Sequence, residues 1–454
     1  MDRKTRVVDM VNGSIFKNMV MFVVPLIFGN LLQLLYNAAD LVVVSRFAGS
    51  NAMASVGATG SLTSLIVSIF IGISVGASVV VSRMIGARDN AGVHRSVHTS
   101  MLLAVALGIT AMIIGVILSK PILKAMGTPE GDVLDGAVIY MKIYFFAVPF
   151  VLIYNFGASI LRAIGDTRRP LYILAFTGIV NVVLNLVLVI NYHMGVAGVA
   201  IATAVSNILS AVAVVFILVR AEGSYRLHIK SMRFYKAELI EVIKVGLPAG
   251  VQSSLFSIAN TLIQSAVNSF GTAAISGCAA AANIEGFVYT AMNAFYQATI
   301  TGVSQNYGAK NEKRVYSTVK IAAASVAVVG LALGILSAVF SVPLLKIYIT
   351  DSNEAINYGV IRICVSGIPY FLCGIMEVMA GALRGLGYST SAMITSLVGA
   401  CGFRVLWILF ILPLKRTLAM LFACWPISWI IVIVIDLILI LCVRKKAMEK
   451  MHNA

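Results

Sequence analysis

Twelve apolar runs, each near or above the roughly 20 residues that a helix needs to cross a bilayer, occupy most of this 454-residue chain. Six lie near 17–45, 53–81, 97–118, 134–158, 170–190 and 195–219, and six near 243–269, 275–303, 317–341, 355–380, 389–412 and 418–442. Inside hydrocarbon every backbone N–H and C=O must find its partner within the protein, and a helix does this within one segment. The runs therefore predict an all-α polytopic membrane protein of twelve transmembrane helices. Only 11% of residues are charged and 60% are hydrophobic, whereas soluble domains carry roughly 25% charged residues. Lipid is the expected solvent for most of the chain.

The runs fall into two copies. Ser82-Arg-Met-Ile-Gly86-Ala87-Arg88, followed by Val93 and Val97, meets Ser304-Gln-Asn-Tyr-Gly308-Ala309-Lys310, followed by Val315 and Val319, at a displacement of 222 residues. Leu161-Arg162-x-x-Gly165 meets Leu383-Arg384-x-x-Gly387 at the same displacement, and Pro25 meets Pro248 at 223. Chance likeness among apolar segments accounts for shared Val and Ala, not for Gly-Ala-basic and Leu-Arg-x-x-Gly at one offset. The expected organisation is an N-lobe over 1–219, a cytoplasmic connector over 220–242 and a C-lobe over 243–454. Six spans per copy is an even number, so both copies enter the membrane in the same sense. Transporters place their substrate sites at such repeat interfaces.

The net charge of +16 lies in short stretches between runs, which argues for orientation and against nucleic acid as a partner. With both termini in the cytoplasm, 25 of the 34 Lys and Arg fall on the inner side, eight on the outer side, and Arg404 within a run. The apolar stretch after Lys17 outlasts a signal-peptide core, so it is expected to be retained as the first span. The six cysteines contain no C-x-x-C pair, and neither a disulfide framework nor a thiolate metal site is indicated. No G-x-x-x-x-G-K-[ST] loop is present for a nucleotide-driven pump, and the inner loops carry only scattered Asp89, Asp166 and Glu312 for a metal-dependent transferase. A non-enzymatic carrier without a cofactor, embedded in the bilayer and functional as a monomer, is the expectation.

Together, the two six-helix copies, the paired Gly86-Ala87-Arg88 and Gly308-Ala309-Lys310 loops, the paired Leu-Arg-x-x-Gly segments and Gly195-Val-Ala-Gly198-Val-Ala-Ile-Ala-Thr203 resemble the multidrug and toxic compound extrusion (MATE) family. The resemblance covers roughly residues 15 to 442. It implies a cation-coupled antiporter in the prokaryotic cell membrane that exports small amphipathic, often cationic organic compounds by alternating access. The alternative is a lipid-linked saccharide flippase of the same superfamily, for which several deep Arg or Lys would be expected.

Ionisable groups inside a membrane cost at least about 2.5 kcal/mol at a helix centre and usually mark function. Five are expected to lie inside the membrane, away from the ends of the runs: Asp40, Glu285, Glu377, Arg404 and Asp436. Asp40 sits six residues before Arg46 at the outer end of the first run. Asn181 and Asn185, four apart, share a helix face at similar depth in the fifth run, and Thr203 follows in the sixth. One carboxylate among neutral oxygens suits a small hard cation such as Na+, or a carboxylate that binds and releases a proton. The family's N-lobe cation site falls on the same positions, with Asn37 a weaker member. The second fifth-run position is often aspartate in the family, and Asn185 leaves one negative charge, so H+ and Na+ both stay open. Bridging hydrogen bonds between helices are the plainer alternative for the asparagines and threonine.

Glu285 is read either as a ligand for a cationic substrate or as a protonated structural group, without an evident basic partner. Glu377 and Arg404 form an expected charge pair in the second copy, either structural or a latch that changes with conformation. Asp436 is expected to snorkel to the cytoplasmic surface. Gln33, Tyr36, Gln252 and Tyr289 are candidates to line a substrate cavity, and Pro25 is a candidate hinge in the first span.

Overall fold

The computed structural model describes residues 7–48, 50–350 and 352–453, so Arg3, Lys4 and Arg6 lie outside the described residues. Its regular elements are helices throughout. In order they are α1 (Ile15–Val43), α2 (Ser50–Gly86), α3 (Asn90–Ala125), α4 (Asp132–Ala163), α5 (Arg168–Leu186), α6 (Gly195–Val219), α7 (Lys236–Asn268), α8 (Thr272–Gly308), α9 (Glu312–Val339), the short α10 (Ser341–Lys346), α11 (Asn353–Arg362), α12 (Tyr370–Gly385), α13 (Ser389–Ser396), α14 (Phe403–Leu406) and α15 (Leu418–Asn453). Wider π turns continue α1, α5 and α11, and lead from α13 into and out of α14.

Among the described residues ten helices are long and apolar enough to cross a membrane, and α11 with α12, bent by 42° near Pro369, makes an eleventh. The remaining predicted span is α8, a helix of 37 residues. Its composition explains why it stands apart: Asn283, Glu285, Asn293 and Gln297 interrupt a stretch built largely of Ala, Gly, Ser and Thr.

The internal repeat is written into backbone geometry. Arg88 and Lys310, equivalent across the 222-residue displacement, both stand in the left-handed region, with φ of 58° and 56°; Gly165 and Gly387 do so at 91° and 90°. In each copy the N–H three residues past the helix end returns to the carbonyl five residues back, Asp89 to Met84 and Asn311 to Asn306, both at 3.0 Å. The next helix is then capped by that same residue: Asp89 accepts from the Gly92 N–H at 2.9 Å and Asn311 from the Arg314 N–H at 3.1 Å. The chain thus ends one helix and starts the next within a few residues.

The chain divides into two compact units. The first holds Phe28–Gly250 together with Val8; the second holds Asp9–Ile27 and Val251–Ala454. The first part of α7 therefore packs in the first unit, and its sequence supplies the means. An added Cβ at Gly76 would lie 2.1 Å from the Val242 carbonyl oxygen, and one at Gly72 would lie 2.2 Å from Gly250 Cα. Gly72-x-x-x-Gly76 on α2 thus meets Gly246-x-x-x-Gly250 on α7 at backbone contact, the small-residue packing that holds membrane helices together where water gives no hydrophobic drive. The connector packs in the same unit: the His228 N–H donates to His98 Nε2 at 3.0 Å and the Tyr235 N–H to Thr99 Oγ1 at 3.2 Å. One large core runs through α2, α3, α4 and α6 of this unit, whereas the second unit's buried residues separate into several smaller clusters.

Candidate functional site

In the first unit, Asp40 near the end of α1 and Asn185 near the end of α5 meet: the Asn185 amide donates to Asp40 Oδ1, and also lies 3.4 Å from Asn181 Oδ1 one turn earlier. Thr203 of α6 neighbours the carboxylate. Both asparagines are buried while Asp40 is half-buried, so the carboxylate rests on a polar wall and keeps an approach. Two oxygens of the group, Asn185 Oδ1 and Thr203 Oγ1, are buried with no well-aligned hydrogen bond. Each such atom carries a desolvation cost of about 1–3 kcal/mol unless something fills its lone pairs. A carboxylate with two such neutral oxygens beside it is chemically a cation-attracting set, and no basic side chain among the described residues is paired with it. The π turns of α1 and α5 follow shortly after Asp40 and Asn185, at Val44–Ala48 and Val187–Asn191. Such turns shift the helical register at one edge of the site, a common feature of functional positions.

The neighbouring candidates divide. Asn37 and Gln33 lie on the exposed side of α1. The Tyr36 hydroxyl donates to the Ala175 carbonyl at 3.1 Å, and its ring fills the space left by Gly178, which ties α1 to α5. Pro25 sits within α1, which continues through it.

The second unit holds a buried ion pair. Glu285 does have a basic partner, contrary to expectation: Arg362 of α11 donates to its Oε2 from Nη2 at 2.7 Å and from Nε at 3.1 Å. Ser366 donates to the other carboxylate oxygen at 2.6 Å, and Arg362 Nη1 donates to the Cys278 carbonyl at 3.0 Å. The guanidinium also lies 5.0 Å from the ring centres of both Phe422 and Trp425. Nothing in the loop charges singles out Arg362. It lies within the tenth apolar run, one turn before Ser366 on the same face, and that placement was the available signal.

The expected Glu377–Arg404 pair does not form. Arg404 donates to Ser428 Oγ at 3.1 Å and lies near the Phe256 and Trp425 rings, and the cation that acts on Glu377 is Arg384. Equal depth on adjacent helices does not fix rotation about each axis, and here the two side chains turn to different neighbours. Arg384, from the repeated Leu-Arg-x-x-Gly segment, is buried; it donates to the Tyr296 hydroxyl and, at 2.7 Å, to Gln252 Oε1. Gln252 in turn donates to Ser396 at 3.0 Å, so it is a buried bridge between Arg384 and Ser396. Asp436 does not snorkel: it is fully buried and accepts from Thr395 at 2.6 Å. Tyr289 and Glu285 do line a cavity, of about 320 Å³, within this unit.

The MatE family model matches this chain twice, over residues 25–187 and 248–409, with starts 223 and ends 222 residues apart. The chain is 26% identical over 399 residues to the probable multidrug resistance protein YoeA of Bacillus subtilis strain 168, covering 86% of each. It is 25% identical over 392 residues to the probable multidrug resistance protein YpnP of the same strain, covering 86% of this chain and 87% of the relative. Its fold matches a solved outward-facing multidrug resistance MATE family transporter of the MOP superfamily with a TM-score of 0.89, at 21% identity over 100% of both chains. The chain is a multi-pass membrane protein that belongs to the MatE family of transporters.

Proposed function

We propose that this protein is a cation-coupled antiporter that exports amphipathic, often cationic organic compounds across the cell membrane, with both termini in the cytoplasm. The observation that carries the proposal is the Asp40 group, an acidic side chain inside the membrane without a basic partner, among oxygens that lack donors. Asp40 and its neighbours perform the coupling step. An H+ or Na+ arriving from outside neutralises the carboxylate, weakens its hold on the Asn185 amide and changes how α1 packs against α5. That change favours release of the organic compound outward, and the ion then leaves inward. Each monovalent cation entering gains about 2.3 kcal/mol per 100 mV of membrane potential, which drives export against a gradient. Pro25, which leaves one α1 backbone carbonyl without its usual donor, is the hinge in this scheme.

The test is transport by purified protein in proteoliposomes with proton and sodium gradients imposed separately. Gradient-driven export should follow one of them and vanish in Asp40→Asn, while Asn181→Ala weakens it less. Full coupled export by Asp40→Asn would overturn the assignment. Movement of a lipid-linked saccharide, independent of either gradient, would favour a flippase.

A further inference from the structure

The cavity of about 320 Å³ in the second unit carries its own chemical preference. Its size lies at the lower end of the roughly 300–1,000 Å³ of small-molecule clefts. Its wall includes one acid and one base, Glu285 and Arg362, and these neutralise each other through two hydrogen bonds. The remaining carboxylate oxygen is taken by Ser366, the third guanidinium nitrogen by the Cys278 carbonyl, and Arg362 is flanked by the Phe422 and Trp425 rings. The pair is net neutral, and each charge already faces its opposite at hydrogen-bond distance. A cation entering would lose its hydration beside a guanidinium and gain no free carboxylate in return. What the cavity offers instead is aromatic surface from Tyr289, Tyr370 and Trp425, apolar surface from Ile263 and Val267, and neutral polar groups. Among the latter, the Tyr370 hydroxyl and the Asn260 side-chain amide have no hydrogen-bond partner among the described residues.

We infer that this cavity is a binding site for uncharged, planar aromatic molecules of two to three fused rings bearing a hydrogen-bond acceptor, distinct from the Asp40 group. Aromatic walls reward a flat ring by offset or edge contact, and the amide and phenol supply neutral donors that set its orientation. The ion pair keeps the site electrically neutral and so turns away the cations that an unpaired Glu285 would attract. As cargo selection, the inference rests on the export function proposed above; as binding, it does not.

Acridone, a neutral fluorescent tricycle with one carbonyl, and 10-methylacridinium, a cation of nearly the same size and shape, separate the two possibilities. Acridone should bind the purified full-length protein, read by fluorescence anisotropy, and 10-methylacridinium should displace it at least tenfold less effectively than unlabelled neutral xanthone. Tyr370→Ala and Asn260→Ala should each weaken acridone binding at least threefold. Arg362→Gln, which frees the Glu285 charge, should make 10-methylacridinium at least tenfold more effective as competitor; if that variant does not fold, the Tyr370 and Asn260 variants decide. Absence of acridone binding, indifference of binding to both those variants, or equal displacement by the cation would overturn the inference. Export of 10-methylacridinium in proteoliposomes is scored independently: export without acridone binding removes only this site, and acridone binding without any export removes only the antiporter function.

Discussion

Asp40 in the first unit and Glu285 in the second are both carboxylates placed inside the membrane on long helices, yet their surroundings are opposite. Asp40 has amides and a threonine around it and no cation, and leaves two buried oxygens unfilled. Glu285 has a guanidinium at 2.7 Å and a serine at 2.6 Å, so its charge is already compensated. A compensated charge cannot respond to an arriving ion, because its counter-charge is already built in; an uncompensated one can. The two copies thus share a scaffold down to the backbone angles of their loops, while the surroundings of these two carboxylates differ. Arginines deepen the contrast. Arg362, Arg384 and Arg404 are all buried in the second unit, each held by hydrogen bonds to its own side-chain partners.

The sharpest way to break this comparison is to remove the compensation. Arg362→Leu leaves Glu285 buried and alone, which should destabilise the protein by about 3–5 kcal/mol and lower its melting temperature in detergent. Glu285→Gln added to Arg362→Leu should recover much of that loss. By contrast, Asp40→Asn removes a charge that has no partner and should melt at or above the temperature of the unmodified protein. If Asp40→Asn were as destabilising as Arg362→Leu, Asp40 would be a compensated structural group and the contrast would fail.

A smaller effect is expected at Gln252, which links Arg384 to Ser396. Gln252→Leu strands one guanidinium donor and one hydroxyl, each worth about 1–3 kcal/mol when buried, with little effect on ligand preference. A change in ligand selectivity without loss of stability would instead place Gln252 on a substrate path.

Much of the first unit's site was legible because helical periodicity speaks directly to it. Asn181 and Asn185 had to share a face, and depth placed Asp40 and Thr203 beside them. Asn37 and Gln33 were not excluded by spacing, since three and seven residues before Asp40 are close to one and two turns of α1 but not the same azimuth. The second unit was less legible for a related reason: depth can be counted from sequence, rotation about the axis cannot. Glu377 and Arg404 satisfy depth and fail rotation. Arg362 was obscured differently, because a single arginine near the end of an apolar run is equally compatible with an outer surface and with a buried pair. Only Ser366 one turn later hinted at an inward polar face. The repeat, by contrast, was legible in full at its loops, where Gly-Ala-basic and Leu-Arg-x-x-Gly encode backbone angles that few other sequences satisfy.

That last point yields the smallest prediction, and the one in which the two units should behave alike. Arg88 and Lys310 end their helices in the left-handed region, where a side chain costs about 1–2 kcal/mol relative to an unhindered backbone. Glycine relieves that cost but adds about 0.5–1 kcal/mol of unfolded-state freedom. Arg88→Gly and Lys310→Gly should therefore each stabilise by a net of about 0.5 kcal/mol, and, being in separate loops, should add when combined. The measurement is the melting temperature of the two single variants and the double in the same detergent. Equal small gains would mean that the copies diverged only in what their interiors hold; a gain at one loop and a loss at the other would mean that divergence reached the scaffold itself.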